Sequence, residues 1–227
     1  MTAIEDPLFV EAEMPIRSAL IRKFKIESVA GKSIEIKSGA GGPDGWKCDL
    51  LLCDRSGNRK RQEKYNRDGT MIYEWIYDEK GRPLREMAYE SGKMNYRIEM
   101  IRNHADDWKE KRVYLSGNNL HYRIVAKRDA SGRLMEGAYY DSSEQKIRTD
   151  SYVYDERDRL VMMSMGHMGE WIYEYDENEN LKRKTGHLPG ASAFGDTFEF
   201  QYDGRGLLVQ RNHLHYSTTV FEYTFFL

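Results

Sequence analysis

Tyr173-Glu174-Tyr175-Asp176-Glu177-Asn178-Glu179-Asn180-Leu181 decides the fold, because the chain says nearly the same thing several times. Upstream stands Tyr152-Val153-Tyr154-Asp155-Glu156-Arg157-Asp158-Arg159-Leu160, and downstream Phe200-Gln201-Tyr202-Asp203-Gly204-Arg205-Gly206-Leu207-Leu208. Trp75-Ile76-Tyr77-Asp78-Glu79-Lys80-Gly81-Arg82-Pro83-Leu84 is a further copy with one residue inserted before its Leu. Worn copies run from Leu50 to Arg59 and from Lys127 to Leu134. The shared unit is aromatic-x-Tyr-Asp-x-x-Gly-x-Leu.

Such a unit describes a strand that runs into a tight turn and out again. Residues two apart on a strand share a face, so Tyr173 and Tyr175 stand side by side. Asp176 follows where an Asx side chain can bond backbone two residues on and open the turn. Gly81, Gly132 and Gly206 then supply the positive φ that a short hairpin loop needs. Asp158 and the run Asn178-Glu179-Asn180 take that place elsewhere, and Asn and Asp are the residues best tolerated there after Gly.

Asp54, Asp78, Asp129, Asp155, Asp176 and Asp203 lie 24, 51, 26, 21 and 27 residues apart. The gap of 51 spans two periods, which predicts a degenerate copy near Asn103 to Asp107. A period of this size marks a repeat architecture whose units bury their apolar faces on one another, with room for one β-hairpin per repeat.

The copies at 152–160, 173–181 and 200–208 resemble the YD repeat of the RHS/YD family, and the resemblance extends over roughly residues 46 to 227. It implies an all-β fold: antiparallel β-hairpin repeats forming a spiralling sheet like the shell that encloses toxins in large RHS proteins. Those shells are far longer than this chain, so the expectation is a long, twisted, curved or partly closed sheet. Residues 1–45 form an N-terminal anchoring segment and hairpin, and residues 46–227 the repeat domain.

Composition fits a sheet with one wet face. Charged residues make up 32% of the 227, yet there are 16 Tyr and 4 Trp, and mean hydropathy is −0.78. A net charge of −2 draws the protein to neither nucleic acid nor anionic lipid. The start, Met1 to Pro7, is acidic and lacks an apolar segment, and no later stretch is long enough to span a bilayer. Cys48 and Cys53, five apart on a strand, point to opposite faces and do not suit a bridge. The expectation is a cytoplasmic protein with reduced thiols.

Outside the repeats, Leu20 to Glu27 reads as a strand, Ala30-Gly31-Lys32-Ser33 as a turn, and Ile34-Glu35-Ile36 as a returning strand. Ser38 to Gly45 is the strongest loop, and with no Lys-Ser/Thr after its glycines it is not a phosphate cradle. Tight turns are expected at Arg67 to Thr70, Glu90 to Lys93 and Ser116 to Asn119. Met162, Met163, Met165 and Met168 crowd one stretch, where Met either fills an irregular core or adapts to a binding partner. Gly186 to Gly195 is the longest insertion between repeats, and apolar residues on such a loop commonly serve recognition.

No catalytic constellation, metal motif or cofactor signature stands out. His213 and His215 share a strand face, but no third ligand lies near them in sequence. The recurring Asp residues are accounted for by the turns. These features point to a protein whose product is a surface, with a protein partner, no nucleic acid, no membrane and no cofactor. The RHS/YD resemblance implies an immunity protein that binds and sterically neutralises a cognate toxin domain. Partner contacts are expected at Trp108, Met165, His167, Met168, His187, Leu188 and Phe194. The alternatives are a structural or chaperone-like protein pairing with a larger RHS shell, and a carbohydrate-binding module.

Overall fold

Alternation of large and charged residues sets the strands. In Met71–Tyr77, Tyr73, Trp75 and Tyr77 point one way while Glu74 points the other, as a pleated strand requires. The computed structural model describes residues 25–35, 46–102, 108–187, 189, 196–214 and 216–225, with backbone alone at 31–35 and 46–47. The first strands are β1 (Ile26–Glu35), β2 (Trp46–Cys53), β3 (Arg59–Tyr65), β4 (Met71–Tyr77), β5 (Pro83–Glu90) and β6 (Lys93–Arg102). Next come β7 (Trp108–Leu115), β8 (Leu120–Arg128), β9 (Leu134–Asp141), β10 (Lys146–Tyr154) and β11 (Leu160–Ser164). The last are β12 (Glu170–Tyr175), β13 (Leu181–His187), β14 (Asp196–Tyr202), β15 (Leu208–His213) and β16 (Ser217–Phe225).

Each strand pairs with the next, antiparallel, and β1 then pairs with β16, so the sheet closes into a barrel. Val29 stands opposite Tyr223 and Ile34 opposite Thr218 in the closing ladder. The antiparallel all-β hairpin sheet is the one expected, and the structure narrows its curved or partly closed form to full closure, which removes both edges. It also corrects the turn expected at Ala30 to Ser33. Those residues lie inside β1, where Gly31 pairs with Asp49 on one side and Phe221 on the other. Neighbours on both flanks hold the segment extended, and the bend it carries is a register shift after Gly31.

A single closed sheet has only its concave face to bury. Val29, Leu51, Ile98, Val113 and Ile124 are fully covered there, with Tyr139, Tyr152, Met163, Trp171, Tyr173, Phe200 and Phe221. Burying each such side chain contributes about 1.5–3 kcal/mol. The outward face is laced with ion pairs: Arg61 to Glu63 and Glu74 at 2.9 and 2.6 Å, Lys127 to Glu136 at 2.6 Å, Arg183 to Glu199 at 2.7 Å.

The inner face also buries charge, most clearly beside the closure. Arg211 Nη2 donates to Asp49 Oδ2 at 3.1 Å and to the Thr219 hydroxyl at 3.3 Å. Arg211 on β15 thus reaches β2 past β16 and β1, tying the two ends of the sheet together. Cys48 lies 3.3 Å from Asp49 Oδ2 and 3.9 Å from the Thr219 hydroxyl. Neither thiol is in a disulfide and both are buried; burial pushes Cys48 up to about 12 and Cys53 to about 11.

Breaking a buried ion pair from one side leaves an uncompensated charge, at a cost of about 3–5 kcal/mol. Arg211→Met is therefore expected to lower stability by about 3 kcal/mol in urea unfolding, and adding Asp49→Leu to restore much of it. Additive losses in that double-mutant cycle would show that the pair does not brace the closure.

Candidate functional site

The strands run up and down, so the turns fall alternately on two rims. One rim gathers the turns after Asp54, Asp78, Asp129, Asp155, Asp176 and Asp203. In each, the backbone N–H three residues on donates to the Asp carbonyl, as from Gly132 to Asp129 at 3.0 Å and Glu179 to Asp176 at 3.1 Å. The Asp side chain accepts a second set: Oδ1 of Asp155 takes the amides of Arg157 and Arg159, both at 2.9 Å. Positive φ falls on Gly57, Gly81, Gly132 and Gly206, and on Asp158 (59°) and Glu179 (65°). The bend in the 176 copy is thus carried by Glu179, between the two Asn expected to suit it. The degenerate copy near Asn103 to Asp107 lies outside the described residues.

An arginine often completes the turn. Arg133 Nε donates to Asp129 Oδ2, and Arg159 Nε to Asp155 Oδ2, each at 2.7 Å. These bonds hold the Asp129 and Asp155 carboxyls below the usual carboxylate range.

The opposite rim carries most of the residues expected to meet a partner. A one-turn 3₁₀ segment, Gly166–Met168, joins β11 to β12 there. His167 and Met168 are exposed on it, whereas Met165 turns into the main apolar cluster, 3% exposed. His167 and Met168 share a cleft of about 320 Å³ with His121, Tyr122, Tyr139, Ile147 and Arg148. Arg148 stacks 3.8 Å above the Tyr139 ring and pairs with buried Asp150, and its Nη1 reaches the Met168 sulfur. Ile147, 53% exposed, supplies the apolar wall.

His187 ends β13 on the same rim, opposite Glu170. Beside it, an aromatic run leads outward from the interior. Trp171 lies over Gly186, where an added Cβ would sit 2.8 Å from the ring. Lys184 Nζ stands 4.1 Å from the Trp171 centroid. Phe198 follows, then His213 stacked on it at 4.2 Å, then exposed Tyr216 at 4.5 Å. His213 also lies 3.4 Å from Asp196 Oδ1, and no group of His, Cys, Asp and Glu able to hold a metal ion is present among the described residues.

Trp108 sits on the Asp rim at the start of β7, with Lys111 Nζ 4.8 Å and the Arg128 guanidinium 5.8 Å from its ring. Leu188 and Phe194 fall outside the described residues, as does His215. Sequence reasoning missed Tyr122, Tyr139, Ile147, Arg148 and Tyr216. Of these only Ile147 left a signal, an apolar residue where the outward alternation asks for a polar one.

Fold and rims together define a hairpin-repeat shell: a closed ribbon of Tyr-Asp turns with a wet outer face and an aromatic inner one. The chain belongs to the Teneurin YD-shell family, whose model matches residues 82–223. No curated protein matches the chain. Among solved structures, a crystal structure of TcdB2-TccC3-Cdc42 is 15% identical over 73% of this chain and 10% of its own, with a TM-score of 0.34. The Photorhabdus luminescens Tc holotoxin pore carrying a TccC3 mutation is 13% identical over 74% of this chain and 11% of its own, TM-score 0.30. A porin-like protein from Bacteroides uniformis is 7% identical over 88% and 98% of the two chains, TM-score 0.41. The chain thus spans about a tenth of the two toxin chains it resembles.

A carboxyl whose pKa is lowered on folding stabilises the fold above its unfolded pKa of about 3.9, and that stability is lost as pH falls through the lower folded value. The melting temperature is therefore expected to decline below about pH 4. Asp155→Asn, which keeps the bend and loses the ion pair with Arg159, should make that decline shallower. An unchanged slope would remove the ion-paired turns from the acid response.

Proposed function

We propose that this YD barrel is an immunity protein, which binds a cognate bacterial toxin domain in the cytoplasm and blocks it sterically. The observation that carries the reading is the β1–β16 ladder. Pairing with a larger RHS shell by strand addition needs a free edge, and that ladder would have to open to give one. Contact with a partner then runs through side chains at the rims. The opposite rim offers an exposed cluster suited to it: Ile147, His167, Met168, His187 and Tyr216, with Arg148 and aromatic rings behind. Buried aromatic and arginine side chains ringed by polar groups are the usual anchors of protein interfaces.

Membership of the YD-shell family supports the toxin context, since RHS/YD proteins are often toxin carriers whose neighbouring genes encode neutralising partners. The outward ion pairs support a water-facing barrel, because a lipid-facing one carries an apolar band there. No helix among the described residues is long and apolar enough to cross a membrane.

Co-expression with the products of the neighbouring genes tests the reading. A stable complex with suppressed toxicity is expected. Replacing Ile147 and Met168 by Glu should weaken that complex about tenfold or more without lowering the melting temperature. Absence of any complex would overturn the reading, and a complex indifferent to both substitutions would move the contact off this rim.

A further inference from the structure

On the rim opposite the Asp turns, the link between β11 and β12 leans back over β10. A Cβ on Gly166 would sit 3.7 Å from the Thr149 carbonyl oxygen and 4.0 Å from Arg148 Cγ. The φ of 61° at that glycine permits the bend. His167 and Met168 follow it, and the Met168 sulfur accepts from Arg148 Nη1. The link thereby overhangs β10 and its neighbours β9 and β8.

What lies beneath the overhang is held fast. Asp150, 0% exposed, takes Arg148 Nε at 2.9 Å and Nη2 at 3.2 Å. The same guanidinium lies 3.8 Å from the centroid of the Tyr139 ring, and that ring lies 5.8 Å from the ring of Tyr122. An ion pair made through two nitrogens and stacked on an aromatic face fixes the guanidinium in orientation. Arg148, Tyr139 and Tyr122 are engaged with one another and serve as a floor.

Above that floor the cleft is open over about 320 Å³, at the lower end of the roughly 300–1,000 Å³ of pockets that take a small molecule. Its walls face solvent: Ile147 is 53% and Met168 37% exposed, and the imidazoles of His121 and His167 are exposed beside them. None of the seven lining residues is Asp or Glu. An incoming lysine or arginine would meet a guanidinium and two imidazoles with no counter-charge. An incoming carboxylate would lose water against Ile147 and Met168 while Asp150 already balances Arg148. Charge therefore selects an uncharged occupant. Among uncharged ones the lining favours a ring over an aliphatic chain. A thioether sulfur attracts ring edges, and imidazole and phenol rings pack edge-to-face, as His121 and Tyr122 do at 5.3 Å and 63°.

We propose that this cleft takes one aromatic side chain of a protein partner, its ring held between Ile147 and Met168 with the two imidazoles at the mouth. That the ring comes from a toxin rests on the reading of this rim given above; the preference of the cleft for a ring does not.

The probe is N-acetyl-phenylalanine amide, titrated into protein ¹³C-labelled at its Ile and Met methyl groups, with N-acetyl-leucine amide and N-acetyl-arginine amide as comparators. Ring-current shifts at the Ile147 and Met168 methyls, saturating at millimolar probe, are expected. The leucine probe should bind about fivefold more weakly, and the arginine probe not at all. Ile147→Ala and Met168→Ala, each read at the methyl that remains, should weaken the phenylalanine probe about fivefold and leave the melting temperature unchanged. Val220→Ala, which trims an exposed apolar residue on β16, should leave probe binding as it was. Equal binding of the leucine probe, binding of the arginine probe, or full binding by both wall variants would each overturn the proposal. A protein that binds the ring but forms no toxin complex would overturn the toxin reading alone. A toxin complex formed by a protein that ignores the ring would overturn this inference alone.

Discussion

A tyrosine hydroxyl donating to the carbonyl of a leucine in the preceding repeat holds the structure in step. Tyr154 bonds Leu134, Tyr175 bonds Leu160, Tyr202 bonds Leu181 and Tyr223 bonds Leu208, at 2.6 to 3.0 Å. Each contributes only about 0.5–1.5 kcal/mol net. Its geometric effect is larger, because it fixes the same residue of each hairpin against the same residue of the hairpin before. The Asp turn that follows Tyr154, Tyr175 and Tyr202 then reverses the chain at a constant height, and the turns assemble into a rim. Burial raises the pKa of Tyr154, Tyr175 and, most clearly, Tyr223, so those hydroxyls stay protonated donors.

Fixed offsets between neighbours leave the ends of the sheet to meet, and the interior has to be filled when they do. Sixteen strands make a barrel wider than the roughly eight whose ordinary side chains fill the inside. The inner face is accordingly lined with Tyr, Trp and Phe, and its charges are held in pairs or on rings. Arg211 with Asp49, Arg148 with Asp150, and Lys184 on Trp171 are the clearest cases. The outward face holds its Arg and Glu side chains in cross-strand pairs, which are worth little where exposed but keep the barrel from presenting an apolar surface.

Hairpins were legible because their signals are local. Tyr152 to Leu160 states a strand, a bend and an exit within nine residues, and each folds as read. Closure was not legible, because the contact that makes it joins Ile26–Glu35 to Ser217–Phe225, and neither segment carries a mark naming the other. The same cause hid the role of Gly31, which reads as a turn residue until two neighbouring strands hold it extended. Met165 and Met168 look alike in sequence, yet the short 3₁₀ turn between them sends one inside and the other out.

The inner core, the two rims and the closed sheet all depend on β1 and β16 being joined. Hydrogen exchange of the backbone amides in those two strands measures that directly. In a closed barrel, amides of β1 that face β16, and those of β16 that face β1, exchange as slowly as amides in β8 or β12. Rapid exchange confined to those rows, with protection kept elsewhere, would mean an open sheet with two free edges and would contradict the account.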